Sequence, residues 1–302
     1  MAKLLLGREV TDALNADLVR RTEALRRRGI PPTLAIIRIG ENPSDMSYER
    51  GATKRAALVG VEILKFILPS DATRESILGV IDHVNHERTI HGVLLLRPLP
   101  VHLRAFENEI FNHLDPAKDV DCMTHLSNAG VFESRKNLGY GPCTPAACME
   151  MLRFYGIDCT GKSAVVIGRS LVVGKPAAMM LLDRNATVTV CHTKTPNVAA
   201  LCRSADIILS AAGKLHSLTK DFVRPGQTVI DVSINWDDEK PNSKGGFGGI
   251  SGDADFDEVA AIVDAITPVP GGVGSVTTSV LMKHVVEAAE KSQTAEFCPV
   301  FF

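Results

Sequence analysis

Val165-Val166-Ile167-Gly168-Arg169-Ser170-Leu171-Val172-Val173-Gly174-Lys175-Pro176 decides the fold class of this chain. An apolar β-branched run breaks into a glycine turn and then into a helix start, the order expected where a strand of a parallel sheet hands over to its helix. A Rossmann-type domain receives a dinucleotide pyrophosphate at such a turn, because the backbone N–H groups of the helix start face the phosphates. The fingerprint G-x-G-x-x-G is met in part: Gly168 holds its first place, while Ser170 and Val173 stand at the second and third glycines. On these residues alone, an ordinary β-turn-α junction is an equal reading.

The next strand carries the discrimination between cofactors. An NAD site places a carboxylate about 20 residues beyond the first glycine, where it accepts hydrogen bonds from the ribose 2′-hydroxyl. Here Ala186-Thr187-Val188-Thr189-Val190 reads as that strand and ends in Cys191-His192-Thr193-Lys194-Thr195, with no acid. A carboxylate there repels a 2′-phosphate, whereas the Thr193 hydroxyl and the charges of Lys194 and Arg169 attract one. NADP is therefore the expected cofactor; the alternative is that Lys194 and Arg169 are only solvated surface charges.

Outward from this turn the alternation continues. Ser163–Ile167, Thr187–Val190, Ala205–Leu209 and Thr228–Val232 read as parallel strands, with helices at Lys175–Asp183 and Val198–Arg203. Asp237–Gly249, with its acidic run and Gly245-Gly246, reads as an exposed excursion. The first half alternates likewise: a helix from Thr11 to about Arg28, strands at Thr33–Ile39, Val61–Phe66 and Gly92–Leu96, and helices at Ser44–Val59 and Thr73–His86. After Asp115-Pro116 comes an irregular, glycine-containing region ending at Pro142-Cys143-Thr144-Pro145, which suits a domain junction where ligands often lie. The expected fold class is α/β: two α/β domains, the second a Rossmann-type parallel sheet, with a cleft between them. A final amphipathic helix, Thr277 to about Lys291, is expected to return to the first domain.

Composition bounds the function. With 302 residues, 45% hydrophobic and 23% charged, the chain has enough apolar material for two cores. A formal net charge of −2 gives no support to extended nucleic-acid binding. No apolar run reaches membrane-spanning length and the N-terminus lacks the apolar stretch of a signal peptide, so a cytoplasmic location is expected. The seven cysteines, Cys122, Cys143, Cys148, Cys159, Cys191, Cys202 and Cys298, are scattered without a C-x-x-C pair, which fits free thiols and no metal site.

Several separated segments together resemble the bifunctional methylenetetrahydrofolate dehydrogenase/methenyltetrahydrofolate cyclohydrolase family. They are Ile39-Gly40-Glu41-Asn42-Pro43 with Ser47-Tyr48, Arg97-Pro98-Leu99-Pro100, Lys118-Asp119-Val120-Asp121, Pro142-Cys143-Thr144-Pro145, the Gly168 turn, Asp231-Val232-Ser233-Ile234-Asn235, Gly252-Asp253, and Thr267-Pro268-Val269-Pro270-Gly271-Gly272-Val273-Gly274. The resemblance runs nearly the whole length. It implies a folate-binding catalytic domain from residues 1–142 plus 275–302, an NADP-binding domain from residues 143–274, and a homodimer. It implies NADP-dependent oxidation of 5,10-methylenetetrahydrofolate to the 5,10-methenyl cation, followed by hydrolysis to 10-formyltetrahydrofolate. The same resemblance makes Tyr48 and Asp121 catalytic, with Tyr48 bordering the folate ring and Asp121 accepting from the pterin edge. Substrate contacts fall on Tyr48, Pro98, Pro100, Asp121, Pro270, Gly271 and Gly272. Cofactor contacts fall on Gly168, Arg169, Ser170, Thr193 and Ile234. The bland readings are a turn-forming role for Asp121 after Asp119, a hinge for the Pro-Gly-Gly loop, and a core position for Ile234.

Two departures touch the second activity. The family's proton-transferring lysine, four residues after the tyrosine, is replaced by Ala52, and the glutamine that orients it is replaced by Leu96. Lys54 is the substitute on offer, but two residues on an α-helix turn a side chain roughly 200° round the axis, away from the Tyr48 face. Arg97 brings a fixed charge but stays protonated, which makes it a poor base. Ala147 and Ser275 replace a usual glycine and proline and read as packing adjustments. The alternatives are another two-domain NADP dehydrogenase of the shikimate dehydrogenase type, or a non-catalytic nucleotide-binding regulator.

Overall fold

The computed structural model of the chain describes residues 2–135, 137–241 and 246–293; Gly245 and Cys298 lie outside the described residues. It divides into two compact units, one formed by the chain up to Asp12 with Thr144–Thr277, the other by Ala13–Cys143 with the segment from Thr278.

The chain opens with β1 (Lys3–Leu4) and α1 (Gly7–Arg27) and continues through β2 (Thr33–Ile39), α2 (Pro43–Val59), β3 (Glu62–Leu68), α3 (Arg74–His86) and β4 (Gly92–Leu95). These last three strands form a parallel sheet in the order β3-β2-β4. Every residue of β2 is buried, as a continuous apolar run demands when both faces of a parallel strand are covered. Its one charged member, Arg38, donates to Glu49 on α2 at 2.7 Å, and Glu49 also pairs with Lys65 of β3 at 2.8 Å. This buried ion pair ties α2 to two strands and so sets the position of Tyr48, its neighbour in sequence. The ends of α2 follow local chemistry: Asn42 Oδ1 accepts from Ser44 N at 2.9 Å, proline occupies the first turn, and Gly60 closes the helix at φ +79°.

A short helix α4 (Glu107–Asn112) precedes the stretch expected to be irregular after Asp115; that stretch itself contains α5 (His125–Phe132) and runs into α6 (Cys143–Phe154). The cause of α5 is a pair of caps. Asp119 accepts from Met123 N and Thr124 N, both at 2.8 Å, and Thr124 Oγ1 accepts from Ser127 N at 3.0 Å.

The other unit carries β5 (Ser163–Ile167), α7 (Gly174–Leu182), β6 (Thr187–Cys191), α8 (Val198–Ser204), β7 (Ile207–Ser210) and β8 (Thr228–Asp231). With β1 and a late strand at Ala265–Ile266 they form one parallel sheet, in which that late strand pairs with both β1 and β8, and the order continues to β7, β5 and β6. The Rossmann-type sheet is thus present, with one addition. β1, expected with the first half of the chain, joins this sheet instead, because Lys3 and Leu4 register against Ala265 and Ile266. The expected excursion at Asp237–Gly249 is an antiparallel ribbon, β9 (Asn235–Pro241) with β10 (Phe247–Ser251). After α9 (Phe256–Ala260) and β11 (Ala265–Ile266), the last helix α10 (Thr277–Lys291) lies with the β2 unit: Ser279 Oγ donates to Asn15 Oδ1 at 3.1 Å, and His284 Nδ1 stands 2.9 Å from Val120 O.

Candidate active site

In the β2 unit Tyr48 and Asp121 share their surroundings with Arg97 and Cys143. Arg97 Nη2 lies 3.2 Å from Asp121 Oδ2, and its guanidinium stacks over the Phe111 ring at 5.7 Å. The Asp121 side chain is only 17% exposed. Burial raises its carboxyl above the ordinary value, and Arg97 opposes that rise, as does a hydrogen bond with Cys143. Tyr48 keeps 37% of its surface open. Burial around its hydroxyl nevertheless raises it, Cys143 and Asp121 adding to the rise and Arg97 acting against it. Burial likewise pushes the Cys143 thiol well up. Tyr48, Arg97, Asp121 and Cys143 therefore form one electrostatic cluster. The turn-forming role weighed for Asp121 belongs to Asp119, whose two oxygens are both taken by backbone N–H groups.

Ala52 is wholly buried and Leu96 is 7% exposed, while Lys54 faces solvent. The helix geometry explains this: Ala52 lies one turn on from Tyr48 and Lys54 on the far side. Lys54 therefore does not occupy the position that Ala52 leaves without a proton carrier. Pro98 is exposed and Pro100 half-buried, on either side of the buried Leu99.

In the other unit the Gly168 turn has a specific steric cause. Gly168 adopts φ +119°, and a Cβ there would sit 2.3 Å from Ala211 O. Gly174, one residue beyond the place that the fingerprint assigns to its third glycine, would bring a Cβ to 2.2 Å from Gly168 O. The close helix-to-strand packing of the fingerprint is therefore kept, displaced by one residue, and the search for G-x-G-x-x-G misses Gly174 for that reason. Ser170 Oγ accepts from the Val173 and Gly174 amides at 3.1 and 3.3 Å, so its hydroxyl caps α7 and keeps its own proton to donate. Arg169, Ser170, Thr193 and Lys194 are all exposed at the ends of the neighbouring strands β5 and β6, which pair through Ile167 and Cys191. His192 is turned into its own loop, its Nδ1 accepting from Lys194 N at 3.1 Å. An exposed hydroxyl, two cations and a glycine turn with no room for a Cβ fit a dinucleotide bearing a 2′-phosphate.

Ile234, weighed as a core residue, is 65% exposed. It lies beside the Pro-Gly loop, where a Cβ on Gly274 would meet Ile234 Cδ1 at 3.7 Å. Pro270 and Gly271 are exposed, Gly271 at φ +102°, whereas Gly272 is buried and a Cβ there would stand 2.5 Å from Pro268 O. The demand for glycine at Gly272 thus comes from the chain's own backbone.

Two family models match the chain: the tetrahydrofolate dehydrogenase/cyclohydrolase catalytic domain over residues 5–121, and the tetrahydrofolate dehydrogenase/cyclohydrolase NAD(P)-binding domain over residues 142–293. The bifunctional protein FolD of Carboxydothermus hydrogenoformans is 47% identical over 290 residues, spanning 96% of this chain and 98% of that protein. Among solved structures, the bifunctional FolD methylenetetrahydrofolate dehydrogenase/cyclohydrolase of Campylobacter jejuni superposes with a TM-score of 0.89 at 36% identity, covering 96% of this chain and 99% of that one. The methylenetetrahydrofolate dehydrogenase-cyclohydrolase of Trypanosoma brucei, solved with NADP cofactor and inhibitor, gives 0.88 at 33% identity, covering 97% and 99%.

Proposed function

The chain belongs to the tetrahydrofolate dehydrogenase/cyclohydrolase family, and from that premise we propose that it oxidises 5,10-methylenetetrahydrofolate to the 5,10-methenyl form with NADP. Membership over nearly the whole chain sets this reading above the shikimate dehydrogenase type and above a non-catalytic regulator. The observation that carries it is the cluster of Tyr48, Arg97 and Asp121: a largely buried carboxylate, held at one oxygen by a guanidinium, beside an open aromatic ring. A pterin edge offers N–H donors and a flat face, and this arrangement supplies an acceptor for the first and a surface for the second.

NADP, when bound, supplies the hydride acceptor. The chain's own residues then have to orient rather than to exchange protons, since the methenyl charge is shared by two flanking nitrogens and the hydride step needs no protein base. Tyr48 and Asp121 hold the folate in the unit made largely of residues 13–143. Gly168, Arg169, Ser170, Thr193 and Ile234 hold the cofactor in the unit made largely of residues 144–277, and Pro98 and Pro100 add substrate contacts in the unit of Tyr48 and Asp121. The working form is a homodimer in the cytoplasm. Among the described residues no helix is long and apolar enough to cross a membrane, and the balanced net charge supports a small-molecule substrate rather than a nucleic acid.

Purified protein is expected to reduce NADP when given methylenetetrahydrofolate; tight NADP binding without turnover would defeat the proposal. Arg169→Ala is expected to lower kcat/KM for NADP by about tenfold and leave that for NAD nearly unchanged, the loss of one charge-assisted contact to the 2′-phosphate. Equal losses with both cofactors would remove Arg169 from 2′-phosphate recognition.

The hydrolytic step is slow in this reading, because the positions of the family's lysine and glutamine carry Ala52 and Leu96 and neither side chain moves a proton. Ala52→Lys combined with Leu96→Gln is expected to raise methenyl hydrolysis by about a hundredfold, the lower edge of what a positioned proton carrier contributes. A wild type that already hydrolyses as fast as it transfers hydride, with no gain in the double variant, would assign the role to another group.

A further inference from the structure

Ile234 is 65% exposed, yet both of its neighbours are fastened to one buried carboxylate. Ser233 Oγ donates to Asp253 Oδ2 at 2.8 Å, and Asn235 Nδ2 donates to Asp253 Oδ1 at 3.2 Å. The same side chain, wholly buried, accepts from Ser210 Oγ at 2.9 Å, Ala212 N at 2.7 Å and Lys214 N at 2.8 Å. Asp253 itself is held by Asp231, whose oxygens accept from Asp253 N at 3.1 Å and Ala254 N at 2.7 Å. Gly252 lets these segments close, since a Cβ there would lie 2.0 Å from Asp231 Oδ2.

A carboxylate offers about four lone-pair directions, and five donors already converge on this one. Asp253 has no acceptor capacity left for a ligand, so it acts through what it holds. It gathers the end of β7 with its following turn, the end of β8, and the turn after β10. The ends of β7 and β8 lie at the carboxyl edge of the parallel sheet, the edge where open α/β sheets bind their ligands. A carboxylate serving only the core has no need to grip an exposed loop on both sides of an isoleucine that faces solvent.

We propose that Asp253 is a positioning residue that fixes the Ser233–Asn235 loop so that Ile234 and its backbone meet the nicotinamide half of NADP. The inference rests on the NADP dehydrogenase reading above. The adenosine half, by contrast, depends on the Gly168 turn and Thr193, none of which touches Asp253 directly.

The test compares binding of NADPH with binding of 2′,5′-ADP, which contains only the adenosine half. Ser233→Ala with Asn235→Ala removes the two loop tethers and leaves Asp253 its three other donors. This double variant is expected to raise the Kd for NADPH by about tenfold, about 1.4 kcal/mol, and to change that for 2′,5′-ADP by less than about twofold. Asp253→Asn, which sets an amide N–H₂ against donors, is expected to shift the two ligands in the same unequal way. Should that variant fail to fold, the double variant decides. Equal weakening of both ligands would reduce Asp253 to a general structural role, and unchanged NADPH affinity would free the loop from it; either result overturns the proposal. A wild type that binds neither ligand would instead overturn the NADP reading, and this inference with it.

Discussion

Asp121→Ala is expected to lower kcat/KM for the folate substrate by roughly a hundredfold, about 2.7 kcal/mol of lost transition-state binding. The magnitude follows from what remains behind. The pterin N–H groups lose an acceptor whose side chain is only 17% exposed, and Arg97, still stacked over Phe111, is left without its partner at 3.2 Å. Because Arg97 is 29% exposed, water takes up part of its charge, and the fold is expected to survive. Steady-state kinetics at saturating NADP give the measurement, and an unchanged affinity for NADP is the control for folding. A loss below about threefold would remove Asp121 from the folate site.

Gly168→Ala is expected to act on the other unit through sterics alone. The added Cβ would meet Ala211 O at 2.3 Å and Ala211 C at 2.9 Å, both backbone atoms, at a φ of +119° that L-residues rarely adopt. Backbone strain of about 1–3 kcal/mol and a comparable overpacking cost add to about 2–6 kcal/mol. At about 2–4 °C per kcal/mol for a unit of this size, the melting temperature should fall by about 10 °C. The turn can relieve the clash only by moving Arg169 and Ser170, so binding of 2′,5′-ADP should weaken as well. A melting temperature within about 2 °C of the wild type would show that the turn has room for a side chain.

The elements that were legible along the chain are those whose cause is local. Thr33–Ile39 and Ser163–Ile167 are read residue for residue, because a largely buried parallel strand shows as a short, mostly apolar run. Thr277–Lys291 is read for the complementary reason, its apolar side chains recurring at helical spacing. The ribbon at Asn235–Pro241 and Phe247–Ser251 was hidden by its acidic and glycine residues, which resemble a loop until the two strands pair. The helix His125–Phe132 was hidden because the segment that leads into its Thr124 cap is held by Asp119, six residues before the helix begins. In the cofactor unit, Gly174 escaped a search by fixed spacing although it meets the same steric demand one residue later.

By itself the sequence determined the α/β class, the dinucleotide turn, the acid-free strand end that favours NADP, and the absence of a proton carrier at Ala52 and Leu96. Each of these is a property of residue type at a position, or of spacing within one element. Only the tertiary structure decided that β1 belongs to the second sheet and that Ala52 is wholly buried. It alone joined Arg97 to Asp121 and fastened the Ile234 loop to Asp253. The physical reason is common to these: the partners lie 18 or more residues apart, or a side chain's direction depends on which face of a helix is covered. Hydrogen bonds and ion pairs across such separations exist only once the strands have chosen their neighbours.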